Sequence, residues 1–354
     1  MKRWTFAFKL LTLLSLVALA LPSQARAQAP EPGALEPWTA ASQALAQAVA
    51  AQEAQAAPLM QRDDVVGTGV GLDENGDPVI KVFARHRWFA AMPQQMDGVP
   101  VEVEVTGTVY ALNQLAAPET AESAAEALVD TRGRFSRPIP IGVSISNVGT
   151  CNAGTYGARV SDGRDVFLLS NNHVIALSNA APLNSRIVQP GRRDVNCRIV
   201  PRDTVARLTS FEPVDFSGRN NVIDAAIALS DTTEIGTATP PDGYGRPQSR
   251  TVAAFLNQPV QKYGRTTGFT TGRVTAVNVT LNVNFGSGRI ARFVRQIAVE
   301  GDRTDFSDRG DSGSLIVEQG SNRPLGLLFA GGGVTTFANP IDEVLDRFGV
   351  SIDE

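Results

Sequence analysis

From residue 135 onward the chain is a succession of short β-rich segments, and this texture restricts the fold more than any other feature. "IPIGVSI", "YGARVS", "DVFLLSN", "SRIVQP", "DTVARLTSF", "DAAIALS", "PVQKYGRTT", "GRVTAVNVTLNVNF", "RIARFVRQIAVE", "SGSLIVE" and "PLGLLFAG" follow one another, separated by Gly, Pro, Asn and Asp turns. The spacing predicts an all-β barrel or sandwich, not a parallel α/β sheet, which needs a helical pattern between strands. One helix closes the chain. In "NPIDEVLDRFG", Asn339 is the expected cap and Pro340 the first helical residue. Ile341, Val344, Leu345 and Phe348 form its apolar face and Gly349 the stop.

The preceding part has a different character. Residues 28–62 are rich in Ala, Gln, Glu and Pro. "LEPWTAASQALAQAVAAQEAQAA" has high helix propensity but little besides Trp38, Leu45 and Val49 to bury, so it reads as a soft helix or a linker. Residues 63–112 read as a small αβ subdomain. There "VVGTGVGL", a turn at "DENGDP" and "VIKVFAR" make a hairpin, and "VPVEVEVTGTVYAL" adds another alternating strand. A second polar, alanine-rich linker takes residues 113–134, ahead of the β-rich unit at 135–354.

The first 27 residues read as a signal peptide. Lys2, Arg3 and Lys9 precede an apolar run over residues 10–21, and Ala25-Arg26-Ala27 fits the A-x-A cleavage pattern. The expected destination is the periplasm or the exterior, with no stable membrane anchor. Cleavage there removes four basic and no acidic residues, leaving 28 Lys and Arg against 36 Asp and Glu, a net charge near −8. That balance argues against a nucleic-acid partner. Cys151 and Cys197 agree with an oxidising compartment. Paired, they would contribute roughly 4 kcal/mol on the chain-entropy account; two free buried thiols are the alternative.

The chemistry turns on "RGDSGSLIV", where Ser312 lies between an acid and a glycine at the mouth of an apolar run. Asp-Ser-Gly is also ordinary turn vocabulary. A nucleophilic serine needs a base and an orienting acid. The chain has only two histidines. His86, in "FARHRWF", reads as a surface residue. His173, in "VFLLSNNHVIAL", stands where a strand-like run ends. For the acid, Asp224 interrupts the apolar run "NNVIDAAIALS". A carboxylate there is costly without a donor, and an imidazole N–H is a suitable one. Asp203 and Asp215 have polar loop neighbours and read as surface residues. A lipase-type elbow is excluded because no histidine follows the serine, and a zinc peptidase because the histidine ligands are missing. No metal or organic cofactor is called for, and "DENGD" reads as a turn.

Together "SNNHVIA", "DAAIAL" and "GDSGSLI", in that order, resemble the trypsin-like (chymotrypsin-fold) serine peptidases, from about residue 138 to the C-terminus. "KYGRTTGFTTGRVTAV" and "GLLFAGGG…FANPIDEVL" look like a bacterial subgroup related to the plant narrow-leaf trypsin-like protein. The resemblance implies a mainly β fold, a chymotrypsin-like double β-barrel with a C-terminal helix, here preceded by the small αβ subdomain. It implies an exported serine endopeptidase acting on protein or peptide substrates. In it His173 is the general base, Asp224 its orienting acid and Ser312 the nucleophile. Backbone N–H groups of Gly310 and Ser312 would form the oxyanion hole, and Asp311 would hold that loop. A side chain at residue 310 would crowd the tetrahedral intermediate.

By the same alignment Phe306, Ser307, Phe329, Ala330 and Gly331 bound the substrate pocket. No acid stands in place of Phe306, so a small or medium apolar residue is expected at the cleavage position and Lys or Arg is not. Phe306 and Phe329 read equally well as core. "RPIPIGVSI" reads as a strand, although Ile139 or Ile141 could be a new amino terminus after an activating cut. A trypsin-fold binding or assembly protein with a blocked or inactive site is the alternative function. An esterase or peptide-release factor using the same three residues is a third.

Overall fold

The computed structural model describes residues 37–87, 92–112 and 129–353. The expected signal peptide and residues 113–128 of the second linker lie outside them. Among the described residues most regular structure is strand, gathered into two sheets.

The larger sheet contains a closed barrel. Pro259–Gly264, Gly268–Asn284, Ile290–Gly301, Thr335–Pro340, Pro324–Gly332 and Leu315–Glu318 pair in an antiparallel circuit that returns to its start. Its longest member, Gly268–Asn284, shows why the sequence closes this way. Residues 268, 270, 272, 274 and 276 are buried, then 279, 281 and 283. The period-2 pattern slips by one residue at Asn278, whose φ is +51° and where the register to both neighbours shifts. This β-bulge bends the strand so that its two halves can present apolar faces to different cores.

The smaller, eight-stranded sheet comes from the first half of the β-rich region, with Ser351–Ile352 at its edge. Its core holds Ile139, Ile141, Val143, Ile145, Tyr156, Leu168, Ile187 and Leu208. Ile139 and Ile141 are therefore interior residues, and the Ile139 N–H donates to the Glu234 carbonyl at 2.9 Å. A third apolar cluster joins Leu169, Ile227, Leu315 and Leu327 to Ile341, Val344 and Leu345 of the C-terminal helix, Ile341–Phe348. The fold is a chymotrypsin-like double barrel. The helix starts one residue later than expected. Pro340 stands at the cap, while the Asn339 side chain donates to Gln296 and accepts from Asp224. Gly349 ends it in the left-handed region, at φ +63°.

The hairpin of the N-terminal unit forms as expected, from Val65–Leu72 and Pro78–Ala84. Its first strand also pairs with Gly268–Asn284, Gly67 opposite Leu281, so the unit extends the larger sheet. The helix Pro37–Leu59 covers it, with Ala48, Ala51 and Leu59 packed among Val70, Ile80, Val82 and Val99. "VPVEVEVTGTVYAL" is not one strand. Val99–Val105 pairs in parallel with Pro78–Ala84, and after Gly107, at φ +72°, Tyr110–Ala111 joins a different part of the sheet. No described helix is long and apolar enough to cross a membrane.

Candidate active site

The strand Val166–Ser170 delivers His173. It ends in a single wide helical turn, Asn172–Ala176, all of it buried. The polar residues before the histidine explain its position. Asn171 Nδ2 donates to the Asp224 carbonyl at 2.7 Å, and Asn172 Nδ2 to Asn179 Oδ1 at 2.7 Å and the Glu212 carbonyl at 2.6 Å. These bonds fix the turn against the loop that carries the acid.

Asp224 is fully buried and holds the histidine twice. Its Oδ1 accepts the His173 backbone N–H at 3.0 Å, and its Oδ2 lies 2.5 Å from Nδ1. The carboxylate is thus placed to keep the proton on Nδ1 and leave Nε2 as the basic nitrogen. Behind it runs a second row. The Asp224 N–H donates to Asn339 Oδ1 at 3.0 Å, Asn339 Nδ2 to Gln296 Oε1 at 2.6 Å, and Gln296 Nε2 to the Val222 carbonyl at 2.7 Å. The edge-on ring of Phe285 lies 5.9 Å from the imidazole.

Ser312 reaches the same region from the second barrel. Its Oγ donates to the Phe329 carbonyl at 3.3 Å, and its carbonyl accepts the Thr155 N–H at 2.8 Å. Gly313, at φ +95°, packs so close to Ser170 that a Cβ would sit 2.3 Å from that Oγ. The serine loop is therefore seated on the strand that leads to His173. Gly310 is required by its conformation and by what lies against it. Its φ is +102°, and a Cβ would lie 2.4 Å from Arg265 Nη1 and 2.5 Å from Thr266 Oγ1. The crowding comes from beneath the loop.

Beneath that loop lie Asp311, as expected, and two basic residues to which the sequence assigned no role, Lys262 and Arg265. Lys262 Nζ lies 3.5 Å from Asp311 Oδ2, both side chains fully buried. Asp311 also accepts from the N–H of Asp308 at 2.9 Å, the Thr267 hydroxyl at 2.7 Å and the Thr266 N–H at 2.7 Å. Burial pushes its carboxyl up, but Lys262 and these donors outweigh it and hold the group below its ordinary value. Arg265, likewise buried, is paired with Asp194 at 2.5 Å. Thus a lysine from the barrel interior neutralises the acid beside the serine, and the Ile139 and Ile141 region does not. Lys262→Met is expected to lower stability by about 3–5 kcal/mol, because it strands a buried carboxylate. A urea midpoint equal to wild type would remove Lys262 from this role.

Asp311 also sets an acid limit. Because its pKa is depressed in the folded protein, its stabilisation is complete above the ordinary carboxylate value near 4 and is lost as pH falls toward the lower folded value. The melting temperature is expected to fall more steeply below about pH 4 in wild type than in Asp311→Asn. Equal acid slopes would show that other carboxylates govern the transition.

Of the residues expected to bound the pocket, Phe306 is buried beside Val299, Ile316 and Leu328. Phe329 and Ala330 belong to an aromatic core with Phe285, Phe293 and Phe337. Ser307 Oγ is bonded to Thr336 at 2.7 Å, and a Cβ on Gly331 would stand 3.2 Å from Leu112 Cδ2. His86 is exposed. Asp203 is not the surface residue it resembles. It is buried in a two-pronged ion pair with Arg134, at 3.0 and 2.6 Å. Cys151 and Cys197 form a disulfide.

Residues 246–338 match the family described as the Nal1 C-terminal domain, a span that holds Ser312 but neither His173 nor Asp224. Streptogrisin-A of Streptomyces griseus is 36% identical over 104 residues, which is 28% of this chain and 32% of that protein. The matched part thus spans about a third of the length of that relative. Among solved structures, a glutamic acid-specific serine protease described as using a histidine triad in substrate binding aligns over 61% of this chain and all of its own, at 21% identity and a TM-score of 0.43. Thermobifida fusca Protease A aligns over 60% of this chain and 97% of its own, at 16% identity and a TM-score of 0.42. The likeness to trypsin-like serine peptidases read from the motifs therefore recurs in the streptogrisin-A match.

Proposed function

We propose that this protein is an exported serine endopeptidase working through Ser312, His173 and Asp224. The observation that carries the reading is the buried His173–Asp224 pair, made by a carboxylate that has no other reason to interrupt an apolar run. In this mechanism Ser312 Oγ attacks the scissile carbonyl as its proton passes to His173 Nε2. The imidazolium, stabilised by Asp224, then protonates the leaving amine. Gly310 and Ser312 supply N–H groups to the oxyanion, each such donor being worth about 10²–10³ in rate. Water repeats the sequence on the acyl-enzyme and frees the carboxylate product.

The resemblance to streptogrisin-A supports the same chemistry, and the disulfide is in keeping with export. A fluorophosphonate probe tests the reading directly, followed by casein and short-chain ester assays. Labelling at Ser312 with casein hydrolysis is the expected result. Failure of the folded protein to label would turn the assignment toward a trypsin-fold binding protein, and ester turnover without casein hydrolysis toward an esterase.

A further inference from the structure

Residues 106–112 leave the N-terminal strands and run alongside the loop that carries Ser312. The Asn284 N–H donates to the Val109 carbonyl at 2.9 Å, and Tyr110 pairs with Asn284 on one side and with Gly331 on the other. Ala111 pairs with Ala330. The last step reaches one of the proposed oxyanion donors. The Leu112 N–H donates to the Phe329 carbonyl at 3.3 Å, and the Leu112 carbonyl accepts the Gly310 N–H at 2.6 Å. Phe329 is also the residue whose carbonyl accepts the Ser312 hydroxyl.

An extended peptide added to a strand edge, with one carbonyl on the oxyanion donor, is the pose of a substrate's acyl half. We propose that this protein cuts its own chain on the carboxyl side of Leu112, and that the recess holding Leu112 is its specificity pocket, selective for a leucine-sized aliphatic residue. This rests on the peptidase reading above. Ser312 Oγ would bond to the Leu112 carbonyl carbon while its proton passes to His173. The C–N bond to the next residue breaks, and the amine leaves with that proton. Water then hydrolyses the ester, regenerating the serine and leaving a Leu112 carboxylate.

The pocket explains the choice of residue. Leu112 is 7% exposed, in a cluster with Phe306, Val299, Ile316 and Leu328. A Cβ on Gly331 would stand 3.2 Å from Leu112 Cδ2 and 3.5 Å from Cδ1, so the glycine is what leaves room for the isobutyl group. A buried cation close to Phe306 is spoken for. Lys262 Nζ lies 5.9 Å from the Phe306 ring centre and is paired with Asp311. A basic or acidic side chain would enter an apolar recess with no counter-charge, at heavy cost. The preceding residue, Ala111, packs in the aromatic core that includes Phe285, the neighbour of His173, which favours a small side chain there.

The test follows the full-length chain by intact mass and N-terminal sequencing, beside Ser312→Ala and Leu112→Asp, with fluorophosphonate labelling of each. Because Leu112→Asp could disturb folding, a free peptide of residues 109–116 and its Leu-to-Asp counterpart are also offered to the purified protein. A new terminus at Asn113 in wild type alone is expected, with the parent peptide cut on the order of 10²-fold faster than the Asp peptide. Labelled Ser312 with an uncut chain, or equal rates on the two peptides, would overturn the proposal and leave the peptidase standing. Cleavage that persists in Ser312→Ala would assign the cut to another protease and overturn it too. Absence of both labelling and peptide hydrolysis would overturn the peptidase reading and this inference with it.

Discussion

Ser312→Ala is expected to lower kcat on peptide substrates by about 10⁶-fold, the scale seen when the nucleophile of such a unit is removed. The stability cost should be small. Ser312 Oγ makes one long hydrogen bond, 3.3 Å to the Phe329 carbonyl, whereas the loop is held by backbone bonds and by Asp311 with Lys262. The variant should therefore unfold at nearly the wild-type urea concentration and fail to react with fluorophosphonate. Turnover within tenfold of wild type would exclude Ser312 as nucleophile, however good its surroundings look.

Asp224→Asn is expected to cost about 10⁴ in kcat with the fold retained. Asn matches Asp in shape and could still accept the His173 backbone N–H now received by Oδ1 at 3.0 Å. The second contact is what changes. At 2.5 Å from Nδ1, an amide NH₂ in place of Oδ2 would donate, turning Nδ1 into an acceptor and moving the ring proton to Nε2. That nitrogen could no longer take the serine's proton. The measurement is kcat against pH beside a thermal melt. A folded variant with wild-type rates would mean that Asp224 only fills a structural position.

The residues of this site were legible in the chain to different degrees. Ser312, His173 and Asp224 each stand out locally, the aspartate because an apolar run cannot hold a carboxylate without a partner. Two histidines in the whole chain left little choice of base. Lys262 and Arg265, although within "KYGRTTGFTTGRVTAV", Asn339, which read only as a helix cap, and Gln296 gave no sign of the partners they hold. Each sits in a strand or turn whose composition is unremarkable, and each is defined by a partner far along the chain, 49 residues away for Lys262 with Asp311 and 115 for Asn339 with Asp224. Asp203 misled for the same reason, since Arg134 buries it from 69 residues away.

Alternation of side chains along each segment, together with turn residues between them, is a local property, and by itself it determined a β-rich barrel or sandwich region, the N-terminal hairpin and the C-terminal helix, while only the family resemblance implied the double barrel. Strand pairing is not local. Only the tertiary structure decided that Val65–Leu72 would join Gly268–Asn284, and that residues 109–112 would leave their own sheet for the edge at Gly331. Backbone N–H and C=O groups are the same at every residue, so the sequence cannot say which edge a strand will choose. The choice falls where burial and hydrogen bonding are satisfied together, and here the small surface of Gly331 leaves space for Leu112.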